Sequence, residues 1–223
     1  MAPIDDPTRD PGTGLPIAAT VVLLRDASAG LEVLMLERPR TGSFASAWVF
    51  PGGKVEDADR RDDADATHRA AAVRETAEET GLRVAERDLV PLSRWTPPVE
   101  APIRIRTWFF VAPAPAGPVS ANPHEAVAVR WLRPADALHE HAQGGFALYP
   151  PTWVTLYGLA AADRAGAAMA GVRAAGADMF DTVVSPAGVM VWPGDEDHPA
   201  GGAPGGRHRL RDDRLPWEYV RDP

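Results

Sequence analysis

Cysteine is absent from all 223 positions. Disulfides, thiolate metal sites and cysteine nucleophiles are therefore excluded. No apolar run approaches the ~20 residues that a membrane-spanning helix needs. The first residues, MAPIDDPTRDPGTGLP, lack the charged-then-apolar pattern of a secretory signal. Residues 1–15 read as a flexible tail, and the cytoplasm is the expected location. Positive charge is short as well: 23 Lys and Arg against 31 Asp and Glu leave a net charge of −8. That balance argues against nucleic acid as a partner, because binding it wants a basic face. It leaves room for small phosphorylated substrates, which local arginines and a metal can handle. With 45% hydrophobic residues the composition is that of a globular protein. The length suffices for one well-filled domain with an extension.

What the chain does have is a concentration of carboxylates between Arg74 and Leu82, in RETAEETGL. From Ala66 the sequence is rich in alanine and free of proline, so it predicts a helix. Asp65 is the expected N-cap, with Asp63 the alternative, and Gly81 stands where a left-handed stop is wanted. At 100° per residue Ala66, Ala70, Val73 and Ala77 form one stripe. Glu75, Glu78 and Glu79 fall roughly opposite, with Ala71 and Ala72 nearest them, so little bulk is expected to obstruct a ligand there. Each like-charge pair at (i, i+3) or (i, i+4) costs about 0.2–0.5 kcal/mol even in water. The helix dipole disfavours negative charge so near the C-terminal end. Arg74 can offset part of this through Glu78. The alternative reading is a solvated acidic face; the reading with a purpose is a divalent metal.

The context upstream favours the metal. WVFPGGKVE, Trp48 to Glu56, is a short apolar strand followed by proline and the pair Gly52-Gly53, which lets backbone approach an ion or phosphate closely. Around it, Ile17–Leu24 and Leu31–Leu36 predict a hairpin. Further strands are expected at Leu89–Trp95, Ile103–Ala112 and Ala126–Leu132, and a helix at Pro134–His141. From Leu148 the character changes: one or two alanine-rich helices precede two short strands in GVMVWPGD and RHRLRDDRLPWEYV. The fold class expected is α/β.

GGKVE followed by RETAEETGL resembles the Nudix box, the signature of the Nudix hydrolases. The second half matches, with Thr76 at the usual aliphatic position. In the first half Gly53 and Arg74 stand 21 positions apart, seven more than in the family pattern. Asp59 keeps the first glutamate's spacing from Gly53, while Ala66 keeps it from Arg74. The resemblance implies an α/β/α sandwich with a mixed sheet over about residues 16–145. A C-terminal extension, residues 146–223, is expected to pack on it as helices and then short strands. The long loop before the box helix, Trp95 to Pro97, Thr107 to Phe110 and Pro150-Pro151 are similar to the branch typified by coenzyme A diphosphatases, although Arg106 stands where that branch has an acidic residue.

The family implies Mg2+ or Mn2+ held by Glu75, Glu78, Glu79 and the Gly52 carbonyl, with Arg74 orienting Glu75 or Glu78. The general base is a box glutamate, Glu79 or Glu78, or one from a distant loop, for which Glu125 is the best candidate. His124 is a rival that reads better as exposed. Lys54, Arg104 and Arg106 are candidate phosphate contacts, each with a solvated surface as the alternative. The tryptophans are expected in core or interface, and the RHRL cluster, Arg207 to Leu210, reads as surface that could reach substrate. The expected activity is hydrolysis of the diphosphate linkage in a nucleoside diphosphate derivative, with coenzyme A or an acyl-coenzyme A first. ADP-ribose, dinucleotides and diadenosine polyphosphates are alternatives, as is a non-catalytic nucleotide sensor. A blander reading makes the C-terminal region a homodimerisation element.

Overall fold

Two β-branched, apolar runs open the fold as the hairpin β1 (Ile17–Ala27) and β2 (Gly30–Glu37), turning at Ser28-Ala29. The computed structural model describes residues 6–42 and 44–222. After β3 (Trp48–Val49) the glycine pair is itself a strand, β4 (Gly52–Lys54), paired antiparallel with β1 through Ala19 and Thr20. Helix α1 (Ala64–Thr80) follows, then β5 (Val90–Thr96), β6 (Arg106–Pro113), β7 (Ala128–Leu132) and α2 (Pro134–Ala142). Helices α3 (Pro150–Leu159) and α4 (Ala165–Ala175) lead to β8 (Asp178–Asp181), β9 (Val183–Val184), β10 (Met190–Val191), β11 (His208–Arg211) and β12 (Glu218–Arg221).

The principal sheet runs β3-β2-β1-β6-β5-β8, with β4 also on β1 and β7 also on β2. It is mixed: β1 pairs parallel with β6 and β5 with β8, and the other pairs are antiparallel. Strand alternation divides two cores. Ile17, Ala19, Val21 and Leu23 join Leu34, Phe110 and Ala112 on the face covered by α1. Val22, Leu24, Val33, Met35, Phe109 and Val111 point the other way, under Trp153, Leu156 and Met169 of α3 and α4. The chain is thus an α/β sandwich with helices on both faces of one sheet. No helix among the described residues is long and apolar enough to cross a membrane.

Three expectations need correction. Asp63, not Asp65, caps α1: its side chain accepts the Ala66 N–H at 2.8 Å, so the helix begins at Ala64. Ala71 and Ala72 are not beside open space but fully buried against the sheet. The small residues let the helix lie close to β1, and the buried face takes in Glu79 rather than opposing it. Among the described residues the C-terminal region holds five strands, not two. β8 enters the principal sheet beside β5, while β9 to β12 form a separate antiparallel sheet.

The extension is tied to the sheet by chemistry readable in both. Phe180 of β8 stacks on Trp95 of β5 with ring centroids 3.8 Å apart, and Trp192 meets both rings edge-on. Arg94 donates to both Asp181 oxygens at 3.0 Å, and Arg221 of β12 clamps Asp178 at 2.7 and 2.8 Å. Residues 1–5 of the expected tail lie outside the described residues. Residues 6–16 turn back on themselves through the Arg9–Pro16 bridge and present Asp10 to Arg106.

Candidate functional site

Helix α1 and strand β4 meet at the glycines. A Cβ on Gly53 would fall on the Glu75 carboxylate, and one on Gly52 would strike the Ala19 carbonyl and Thr20. Gly53 therefore makes room for an acid, and Gly52, at φ 156°, for the neighbouring strand. Glu79, 2% exposed, accepts the Gly52 N–H at 2.9 Å on Oε2. Thr76, in the family's aliphatic position, is fully buried and satisfies its hydroxyl on the Ala72 carbonyl at 2.7 Å.

Two guanidinium groups organise the acids. Arg74 donates to Glu75 Oε1 at 2.9 Å and Glu78 Oε2 at 3.0 Å through Nη1. Its Nε and Nη2 grip both oxygens of Asp59, at 3.0 and 2.9 Å, and Nη2 also reaches the Lys54 carbonyl at 2.9 Å. Arg38 donates through Nη1 to Glu79 Oε1 at 2.8 Å and to Glu125 Oε2 at 3.0 Å. Arg74 thus orients both Glu75 and Glu78, and the loop glutamate Glu125 stands beside Glu79.

Arg38 does not follow from the box pattern, whereas Asp59 has a signal in it. Asp59 keeps the spacing of the box's first glutamate from Gly53. The structure holds it there in a short 3-10 turn, Asp57–Asp59, with Asp59 Oδ2 accepting the Glu56 N–H at 2.9 Å. The seven extra residues, 60–66, are four that link that turn to α1 and three of the helix's own first turn, and the Arg61 N–H bonds Thr67 at 3.0 Å across the join. The expansion is bridged without displacing the acid. For Arg38 the only signal is its place at the end of β2.

Electrostatics follow from burial. Burial pushes Glu79 up to about 7; Arg38 and the Gly52 N–H oppose the rise, and the Glu75 and Glu125 charges add to it. Burial likewise raises Glu75, against the pull of Arg74. The Asp59 hydrogen bond raises Arg74 above the ordinary guanidinium value. Five carboxylates, Asp59, Glu75, Glu78, Glu79 and Glu125, meet two guanidinium groups, so ionised they leave three negative charges uncompensated. The donors are all oxygen, the set a hard divalent cation prefers. No three of these carboxylates already converge as a ligand shell among the described residues. The residues fit such an ion in chemistry and charge.

Other candidates are not gathered here. Arg106 sits across β1 from Lys54, pairing with Asp10 and donating to Thr96 at 3.1 Å. Arg104 is half-buried, its Nε without a partner among the described residues. The Lys54 side chain is exposed beside the glycines, and His124 is exposed. The RHRL cluster is committed within the second sheet: Arg207 pairs with Glu196, Arg209 with Asp195 and Asp197, and His208 with Tyr219 and the Pro193 carbonyl.

Known proteins align with this arrangement. The NUDIX domain family model matches residues 14–150. A curated relative named "Putative 8-oxo-dGTP diphosphatase 2", from Mycobacterium tuberculosis, is 46% identical over 57 residues, 26% of this chain and 36% of the relative. The chain therefore spans little more than a third of the length of the curated relatives it matches. The crystal structure of a NUDIX hydrolase from Alicyclobacillus acidocaldarius superposes with a TM-score of 0.61 at 25% identity, over 70% of this chain and 96% of that one. The matched span takes in more than half of the sequence, with the glycine strand, α1 and the Glu125 loop inside it, and the chain belongs to the NUDIX domain family.

Proposed function

We propose that this protein is a divalent-metal-dependent hydrolase of the diphosphate linkage in a nucleoside diphosphate derivative. The observation that carries the reading is the cluster of Asp59, Glu75, Glu78, Glu79 and Glu125 beside the glycine strand, which when ionised carries three negative charges that two arginines do not neutralise. The curated relative's printed activity, diphosphatase action on an oxidised nucleotide, points to the same reaction class.

Mg2+ or Mn2+, held by Glu75, Glu78, Glu79 and the Gly52 carbonyl, would supply neutralisation of the diphosphate and acidification of a bound water. Arg74 holds Glu75 and Glu78 close to one another, which reduces the movement needed to bring their carboxylates onto an ion. Glu79, which burial pushes up to about 7, Glu78, and Glu125 on a half-exposed loop are our candidates to take a proton from water. Lys54, beside the glycines, is the first candidate to touch a phosphate oxygen.

Coenzyme A or an acyl-coenzyme A is our first substrate, on the order of features shared with that branch. Trp95 and Thr96 of the branch-like segment support the extension instead of lining the acidic site. The choice therefore rests on the motif order alone. Purified protein with Mg2+ or Mn2+ would be screened against coenzyme A, ADP-ribose, NADH, diadenosine polyphosphates and 8-oxo-dGTP. Turnover that Glu79→Gln abolishes is expected for at least one of them. No turnover of any, where a known diphosphatase works, would sink the reading.

A further inference from the structure

Glu79 and Glu125 come from different elements, and one side chain joins them. Arg38 Nη1 lies 2.8 Å from Glu79 Oε1 and 3.0 Å from Glu125 Oε2, with the Glu125 carbonyl at 3.4 Å. The backbone around it is built to keep these parts together. The Arg38 N–H donates to the Ala47 carbonyl at 2.9 Å, and the Val127 N–H to the Glu37 carbonyl at 2.9 Å. The loop carrying Glu125 also docks on the last turn of α1, where Ser120 and Asn122 donate to the free carbonyls of Thr80 and Glu79 at 2.8 and 3.0 Å.

Both carboxylate oxygens of Glu79 are thus engaged, Oε1 by Arg38 and Oε2 by the Gly52 N–H. The oxygens that Arg38 occupies belong to an acid the proposed function assigns to the cation and to the loop acid beside it. A guanidinium and a divalent ion repel each other, and both want the same lone pairs. The Glu125 side chain is 45% exposed and that of Glu79 is 2% exposed, so the Glu125 contact is the more screened and the easier to give up.

We infer that Arg38 is a positioning residue: a displaceable internal counter-cation that holds Glu79 and Glu125 together in the metal-free protein and lowers the site's affinity for a divalent ion by competing for their oxygens. The inference rests on the metal-dependent reading above. Its consequence is a site kept assembled before metal arrives, at some loss of affinity.

Calorimetric titration of Mn2+ into the full chain tests it without any substrate. Arg38→Gln is expected to bind Mn2+ about tenfold more tightly than wild type, while its metal-free melting temperature falls and its Mn2+-induced shift grows. Arg38→Lys, which keeps the charge, is expected to stay near the wild-type affinity. A folded Arg38→Gln that binds Mn2+ equally or more weakly would overturn the inference and leave the metal reading standing. A wild type that binds no Mn2+ overturns both. Should Arg38→Gln not fold, the wild type still decides: with Mg2+, the hydrogen-bonded guanidinium resonances of Arg38 in 15N spectra are expected to lose their slow-exchange signature, and unchanged resonances would refute the displacement.

Discussion

Asp59 accepts two hydrogen bonds from Arg74, at 3.0 and 2.9 Å, from a turn fifteen positions earlier in the chain. Asp59 is 3% exposed and the Arg74 side chain 21%, so the pair is largely removed from water. Removing one partner strands the other, which typically costs about 3–5 kcal/mol. Asp59→Ala is expected to lose about 3 kcal/mol, since Arg74 keeps Glu75 and Glu78. Urea unfolding at pH 7 measures this. Arg74→Lys should be nearly as damaging, because an ammonium cannot match the forked grip on Asp59 while also reaching both glutamates.

The two glycines of β4 are expected to fail differently. At Gly53 an added methyl meets the far end of the Glu75 side chain, which can swing aside. Gly53→Ala should therefore keep its melting temperature within a few degrees and lose Mn2+ affinity and turnover by about tenfold or more. At Gly52 the methyl meets the Ala19 carbonyl and Thr20 backbone, and φ is positive. Gly52→Ala should destabilise the fold by about 2 kcal/mol or more, as overpacking does. Thermal melts paired with Mn2+ calorimetry separate the two, and equal melting losses would refute the contrast.

Much of this site is local in sequence and therefore legible there. The α1 glutamates, the Gly81 stop and the Arg74–Glu78 pair depend on helical spacing alone. The hairpin and each main strand show in alternation and β-branching. Arg38 has no local signature, because its bond to Glu79 spans 41 positions and depends on how β2 lies against α1. The same holds for β8: its pairing of Asp178 with Ser93 is a distant parallel match that no local pattern announces. For Ala71 and Ala72 the helix is alanine on several sides, so periodicity does not distinguish the side that faces the sheet.

Arg106, a candidate phosphate contact by sequence, is bound on all sides that the structure describes. Its guanidinium pairs with Asp10, donates to Thr96 and lies 4.0 Å from Asp181. Arg106→Ala should lower stability by about 1–2 kcal/mol, since Asp10 loses its guanidinium partner but keeps the Thr13 N–H and hydroxyl at 2.8 and 2.7 Å, and leave KM within about twofold. Lys54→Ala should do the reverse, raising KM with little change in the melting temperature. Lys54 is also the chain's only lysine. Amine-selective acetylation followed by peptide mass analysis can therefore read its protection, which should rise when substrate and Mg2+ are both present.

The second sheet carries its own pH dependence. Asp195 is fully buried and receives Arg209 at Nε, 2.7 Å away, as well as at Nη2, with the His208 N–H at 2.8 Å and the Asp197 N–H at 3.0 Å. Burial works to raise its pKa, but these donors outweigh it and hold the carboxyl down at about 2, against an ordinary 3.8. A depressed folded value means the group binds protons less readily folded than unfolded. Its contribution is therefore complete above about pH 4 and is lost as pH falls through about 2. A shift of this size corresponds to roughly 2 kcal/mol. Denaturant unfolding of wild type at pH 7 and pH 2.5, followed by tryptophan fluorescence, should show a loss that Asp195→Asn reduces, because the variant is already destabilised at pH 7 and no longer titrates there. If Asp195→Asn matched wild type at neutral pH, the Arg209 pair would be worth nothing to the fold.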